Sequence, residues 1–267
     1  MKVTVNGIPR ETSSATAFAL RAEMFPDREV LVLNGFQISE DAPLHDGDQV
    51  YIGKKGVFPD REELRSLMSA RHTPGVHDRV SRATVGVAGL GGLGSNIAAM
   101  LARLGVGRLV IADFDVIEPT NLNRQNYYVE HIGRSKTEAT ADTVGRINPF
   151  IEVVAHNLRI TPDNAAAIFG ECDVVCEAFD SPKEKAMIAN TLLESRPGLP
   201  LVCGSGLAGF GDSNGIQTVK RMDNLYVCGD GFSAAQIGTG LMSPRVGICA
   251  GHMANAVLRL LMGEEMR

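Results

Sequence analysis

Gly89, Gly91, Gly92 and Gly94 stand in the run GLGGLGS, and Asp113 and Asp115 follow about 20 residues later. Glycines let the backbone approach a phosphate, and the free N–H groups at the start of a following helix meet its charge. An acid at the end of the next strand accepts ribose hydroxyls. Beyond it, Asn121, Asn123, Arg124 and Gln125 crowd one short polar segment. An arginine forks onto phosphate oxygens, and amides both donate and accept. A glycine turn alone is weak evidence, but four glycines followed by an acid at this distance read as a nucleotide site. Another acid, Asp180, closes the apolar run DVVCEA just before a helical stretch.

The elements that must position these side chains alternate. Thr84–Ala88 reads as a strand, Ser95–Leu104 as a helix with Ile97, Met100, Leu101 and Leu104 on one face, and Leu109–Ala112 as a second strand. Further helices are expected at Ser135–Ile147, Thr161–Phe169, Lys183–Leu193 and Pro244–Met262, and strands at Ile151–His156, Asp173–Ala178, Leu201–Cys203 and Ile216–Lys220. Alternating strands and helices of this length predict an α/β fold with a doubly wound, mostly parallel, Rossmann-like sheet. In such sheets the loops at the carboxyl ends of the strands line the ligand crevice. The segment Gly229–Ser243 has little periodicity and reads as a loop.

The first 57 residues differ. Lys2–Asn6 alternates, Asn6-Gly7 is a hairpin signal, and Ile8–Glu11 follows as its partner strand. A helix over Thr12–Met24 capped near Ser13 or Ser14, then strands at Val30–Leu33 and Gln49–Ile52, complete a ββαββ order. This order predicts a small β-grasp domain, and the run LHDGDQVYIG resembles ThiS-like sulfur carriers. A carrier acts through a free C-terminal Gly-Gly, whereas here the chain continues through Lys54-Lys55-Gly56, so a docking or stabilising role is expected. The expected organisation is 1–57 as this domain, 58–82 as a helical linker containing Asp60–Ala70, and 83–267 as the nucleotide-binding domain.

The formal charge of −5 gives no electrostatic case for nucleic acid or an anionic membrane as partner. No apolar run approaches a membrane span, and MKVTVNGIPRE lacks the apolar core of a signal peptide, so a cytoplasmic protein is expected. The cysteines at 172, 176, 203, 228 and 249 show no CxxC spacing, which predicts neither a zinc site nor a disulfide framework.

GLGGLGS, ADFDVIEPTNLNRQ and GRSK together resemble the ThiF/MoeB/HesA family, bacterial relatives of ubiquitin-activating enzymes, from about Arg71 to the C-terminus. The resemblance implies ATP and Mg²⁺ as cofactors and adenylation of the C-terminal glycine of a ubiquitin-like sulfur carrier. It also implies a homodimer, and the ThiS-like segment points to the thiamine branch. Residue by residue, Asp113 would hold ribose, and Asn121, Arg124 and Gln125 the triphosphate. Lys136 would contact phosphate, Asp180 would bind Mg²⁺, and Arg71 would act from the partner subunit. Two features depart from the family: the paired zinc cysteines are missing, and no cysteine lies between Cys228 and Cys249. Other readings are an NAD-dependent oxidoreductase, a non-catalytic ATP- and carrier-binding module, and adenylation of another acceptor, such as a molybdopterin-synthase carrier. Asn121–Gln125 and Asp180 argue against the oxidoreductase.

Overall fold

A computed structural model describes residues 1–56, 61–69, 72 and 75–264. The chain divides into two compact units, Met1–Asp78 and Arg79–Arg267. Among the described residues no helix is long and apolar enough to cross a membrane.

The first unit has strands β1 (Lys2–Val5), β2 (Ile8–Glu11), β3 (Val30–Leu33), β4 (Phe36–Gln37) and β5 (Gln49–Gly53) in the order β2-β1-β5-β3-β4, with helix α1 (Ala17–Met24). β1 and β5 pair in parallel and the other pairs are antiparallel, which is the β-grasp arrangement. Asn6 and Asn34 take φ of 50° ahead of Gly7 and Gly35, so both Asn-Gly pairs turn hairpins as such pairs favour. Val3, Val5, Ala17, Leu20, Leu31, Leu44, Val50 and Ile52 form one core. The helix begins later than its sequence suggests. Thr16 caps it by accepting the Ala19 N–H, and Ala17 and Leu20 are its buried residues. Helix α2 (Arg61–Ser69) belongs to the same unit and is joined to it by the Arg28–Glu63 ion pair at 2.6 Å. A short helix α3 (Val76–Val80) follows, within the stretch expected as a helical linker.

The second unit is built on seven strands: β6 (Thr84–Ala88), β7 (Arg108–Asp113), β8 (Glu152–Asn157), β9 (Val174–Glu177), β10 (Leu201–Gly204), β11 (Gln217–Met222) and β12 (Leu225–Gly229). Their order is β11-β12-β10-β9-β6-β7-β8, and all pairs are parallel except β11 with β12. β12 does not follow from periodicity alone; it turns back beside β11 and pairs in parallel with β10. The chain runs outward from β6 to β8, then returns to place β9 on the other side of β6. The ends of β6 and β9 therefore flank a topological switch point, where open α/β sheets bind ligands.

Helices α4 (Gly92–Leu104), α5 (Lys136–Ile147) and α8 (Ser243–Leu261) pack together, and α6 (Pro162–Phe169) packs on α7 (Pro182–Ser195). Phe169, Val175, Ile188, Leu192 and Leu201 anchor the core beneath the α6–α7 pair. α4 begins at Gly92, one turn before the expected Ser95. A Cβ on Gly94 would stand 1.8 Å from the Gly89 carbonyl oxygen, so the helix starts on the glycine turn itself only because Gly94 has no side chain.

A buried ion pair holds the head of α8. Arg245 Nη2 donates to Asp230 Oδ2 at 2.5 Å, and its Nη1 donates to the carbonyls of Gly211 and Asp212, each at 2.8 Å. Burial acts to raise the Asp230 pKa. Bonds from the Ser233 side chain, the Ser233 and Phe232 N–H groups and Arg245 outweigh it and hold the carboxyl at about 2.

Gly94→Ala should destabilise the protein by about 1–3 kcal/mol through overpacking, read as a drop of roughly 2–4 °C in Tm per kcal/mol. Asp230 ionises more readily folded than unfolded, so its contribution is complete above its unfolded pKa and lost as pH falls through the folded value. Between about pH 4 and pH 2, Tm should therefore fall more steeply for the parent than for Asp230→Asn.

Candidate active site

A cleft of about 500 Å³ opens at the switch point. Its wall includes Gly89, Gly91, Gly92, Asp113, Asp115, Arg124, Gln125, Lys136 and Asp180, which the fold brings together from five separate stretches of chain. Gly94 lies beneath rather than on the wall, where it permits the turn. Asn121 is not a lining residue; its Oδ1 accepts the Glu118 N–H at 3.1 Å and closes a short 3-10 turn over Pro119–Asn121. Arg71 lies outside the described residues.

The glycine turn is set by its neighbours. Gly89 has φ of 88°, a conformation that favours glycine, and its N–H donates to the Ala112 carbonyl at 2.9 Å. The Leu90 N–H donates to Asp113 Oδ2 at 2.6 Å, and the Asp115 N–H to Asp113 Oδ1 at 2.8 Å. One carboxylate thus binds the glycine turn to the end of β7. Burial raises the Asp113 pKa, opposed by the Lys136 charge and by these two N–H donors. Gly91 is the N-cap of α4 and no side chain caps that terminus, so the first-turn N–H groups remain a phosphate-type donor set.

The polar segment after β7 is locked onto α4. Asn96 Nδ2 donates to the carbonyls of Gly92 and Arg124, the Asn126 N–H donates to Ser95 Oγ, and the buried Tyr127 hydroxyl donates to the Leu90 carbonyl. Arg124 and Gln125 are thereby presented to the cleft. Gln125 is buried, and its Oε1 has no hydrogen-bond partner. An unpaired buried amide oxygen is costly, so this acceptor marks a place where a ligand N–H or O–H donor fits. Lys136 is likewise fixed twice by Asp115: its N–H donates to the Asp115 carbonyl at 3.0 Å and its Nζ to Asp115 Oδ2 at 2.7 Å. Ser135 caps α5, which puts Lys136 at the first helical position.

On the opposite wall, Asp180 is exposed at the mouth. Ser181 accepts the Glu184 N–H and starts α7. The charge pair beneath this turn was not anticipated. Glu177 is buried and receives Lys185 Nζ at 3.0 and 3.1 Å, while the same Nζ donates to the Gly204 carbonyl at 2.8 Å. The Phe179 N–H also donates to Glu177 Oε1 at 2.7 Å. Burial raises the Glu177 pKa against the pull of Lys185. The pair ties the ends of β9 and β10 to α7. Its signal in the sequence is a glutamate inside the apolar run DVVCEA. Arg159 is a second omission. It lies over the Phe114 ring at 4.8 Å and pairs with Glu184 at 2.6 Å, and all three residues line the cleft.

The chemistry of the donor set fits a nucleoside triphosphate: helix N–H groups, the Arg124 guanidinium, the Lys136 ammonium, the Gln125 amide and the Asp113 carboxylate. Among the described residues no group of three or more His, Cys, Asp or Glu could hold a metal ion. Mg²⁺ does not need one, since it is commonly held by one or two carboxylates plus substrate phosphates, and Asp180 offers such a carboxylate. The five cysteines are free and buried. Burial pushes the thiols of Cys172 and Cys249 up to about 12 and that of Cys228 to about 11, so none is poised as a thiolate.

Comparison with known proteins agrees with this geometry. Residues 1–56 match the model of the ThiS-like ubiquitin family, and residues 64–267 match that of the ThiF family. The chain is 32% identical over 189 residues to the adenylyltransferase and sulfurtransferase UBA4 of Yarrowia lipolytica, covering 66% of this chain and 45% of that protein. It is 38% identical over 128 residues to the probable adenylyltransferase/sulfurtransferase MoeZ of Mycobacterium tuberculosis, covering 48% and 32%. The chain thus spans less than half the length of these curated relatives. The E. coli tRNA N6-threonylcarbamoyladenosine dehydratase TcdA, solved in complex with ATP, has a similar fold, with a TM-score of 0.69 at 23% identity over 78% of this chain and 97% of that one. With the ThiF model spanning most of its length and the glycine turn, Asp113, Arg124 and Lys136 facing one cleft, the chain belongs to the ThiF family.

Proposed function

We propose that the protein is an ATP-dependent adenylyltransferase acting on the C-terminal glycine carboxylate of a ubiquitin-like, ThiS-like sulfur carrier. The observation that carries this reading is the gathering of Arg124, Gln125, Lys136, Asp113 and Asp180 around one cleft, with the Gln125 amide oxygen buried and unpaired. The adenylyltransferase names of UBA4 and MoeZ support the reaction class. The fused ThiS-like unit supports a place in thiamine biosynthesis.

Adenylation requires no protein nucleophile. The carboxylate attacks the α-phosphate and pyrophosphate leaves, so the protein's task is to position two anions and offset their repulsion. The α4 N-terminus and the glycine turn receive phosphate oxygens, and Asp113 accepts from ribose. Arg124 and Lys136 neutralise the leaving pyrophosphate, Gln125 donates to the triphosphate through its Nε2, and Asp180 would hold Mg²⁺, which would supply positive charge to the phosphates. When Lys136 turns to phosphate it exchanges its bond to Asp115, so the ammonium is held in place beforehand without being spent. Arg71 acts from a second copy of the chain, making the working unit a homodimer.

Asp180→Ala and Arg124→Ala should each lower carrier-dependent ATP–pyrophosphate exchange by about 100-fold or more, the cost of losing one positioned charge. Both variants should melt within a few degrees of the parent, because neither side chain is buried. Parental exchange in either variant excludes its assigned role. Mixing Arg71→Ala with Asp180→Ala protein should restore activity through mixed dimers, and absence of complementation excludes action in trans. A panel of Gly-Gly carriers, including a molybdopterin-synthase carrier, identifies the acceptor.

A further inference from the structure

Asn123 has no part in the steps above, yet its side chain makes two bonds of different consequence. Its Oδ1 accepts from Arg124 Nη1 at 2.8 Å, and its Nδ2 donates to the Leu241 carbonyl at 3.0 Å. The two contacts fix the amide's orientation, since a flipped amide would set a donor against the guanidinium and an acceptor against the carbonyl. Leu241 ends the segment Gly231–Leu241, and Gly231, Phe232, Ser233, Ala234, Ala235 and Leu241 all line the cleft.

The two ends of this segment are held unequally. At its start, Asp230 receives the Phe232 and Ser233 N–H groups and pairs with Arg245 in a buried contact, the two side chains being 2% and 7% exposed. At its far end the ties are neutral: the Gly209 N–H to the Gly240 carbonyl at 2.8 Å, and Asn123 to Leu241. Between them Ile237 is fully in solvent and Phe232 is 82% exposed, and Gln236 and Thr239 bond to each other across a tight turn through their backbones. Arg124 Nη1 meanwhile donates to two neutral oxygens, those of Thr120 and Asn123. Hydrogen bonds to an ionised oxygen are roughly twice as strong as neutral ones, so a phosphate offers Nη1 a stronger partner than either.

We infer that Asn123 is a positioning residue that couples Arg124 to this segment: when Arg124 turns to phosphate, the Asn123 amide is released and the Leu241 end of the cleft-lining segment loosens. The inference rests on the nucleotide reading of the cleft.

Hydrogen exchange on the full-length protein, with ATP–Mg²⁺ binding measured in parallel by calorimetry, tests it. Bound ATP should speed exchange of the Gln236 and Thr239 amides about fivefold, the factor one neutral hydrogen bond carries, and leave Phe232 and Ser233 unchanged. Asn123→Ala should give the same acceleration without nucleotide and abolish the further response to ATP. Asn123→Asp keeps an acceptor for Arg124 but lacks the donor to Leu241. It should therefore loosen the segment and also weaken ATP binding, because an anion now holds Arg124. Bound ATP that leaves Gln236 and Thr239 unchanged or protects them overturns the coupling, as does Asn123→Ala with parental exchange. Failure of ATP to bind the parent defeats the nucleotide reading instead, and the nucleotide-free Asn123→Ala comparison still decides whether Asn123 tethers the segment.

Discussion

The Asp113 carboxylate sets the geometry on which the cleft depends. Its two oxygens take the N–H groups of Leu90 and Asp115, one from the glycine turn and one from the segment leaving β7. The first bond holds the turn against the sheet so that α4 starts on it, which the missing side chain of Gly94 makes possible. The second directs the chain into the polar segment that carries Arg124 and Gln125. Asp115, so placed, brings in Lys136 through both its carbonyl and its carboxylate. A single buried acid therefore aligns the glycine turn, the start of α4 and, through Asp115, the Lys136 ammonium.

The second wall is supported by charge rather than by glycine. Glu177 with Lys185 and Asp230 with Arg245 are ion pairs whose acids are nearly fully buried, and each carries extra hydrogen bonds to backbone. Pairs of this kind add little net stability against an apolar substitute, but removing one partner leaves an expensive uncompensated charge. Their value here is directional. Lys185 ties two strand ends to one helix beneath Asp180, and Arg245 ties two glycine-rich loops to the head of α8. The cleft cations differ in kind: Arg124 bonds to neutral oxygens and Lys136 to a half-exposed carboxylate, so both can be transferred to phosphate without leaving a buried charge unpaired.

The fold was legible where periodicity and turn chemistry agree. The strand at Thr84–Ala88, the Asn6-Gly7 hairpin and the mostly parallel sheet follow from local residues. The start of α4 was not legible, because helix onset at Gly92 depends on contact between Gly94 and the Gly89 carbonyl. β12 was not read from the sequence, although it follows β11 by two residues and pairs antiparallel with it. At the site, Arg124 and Gln125 were readable from the polar segment after β7, Asp180 from its place at a strand end, and Lys136 from the family resemblance. Asn121 was not, since its Oδ1 is spent closing a local turn. Glu177–Lys185 and Arg159–Phe114 pair residues from different elements, and no spacing rule reports that.

If this cleft joins a nucleotide to a carboxylate, the intact mass of a carrier ending in Gly-Gly rises by one adenylyl group on incubation with the protein, ATP and Mg²⁺, and that of the same carrier lacking its last glycine does not change. ATP bound by the protein, with no mass change on any carrier, would contradict that chemistry and leave a nucleotide-binding module.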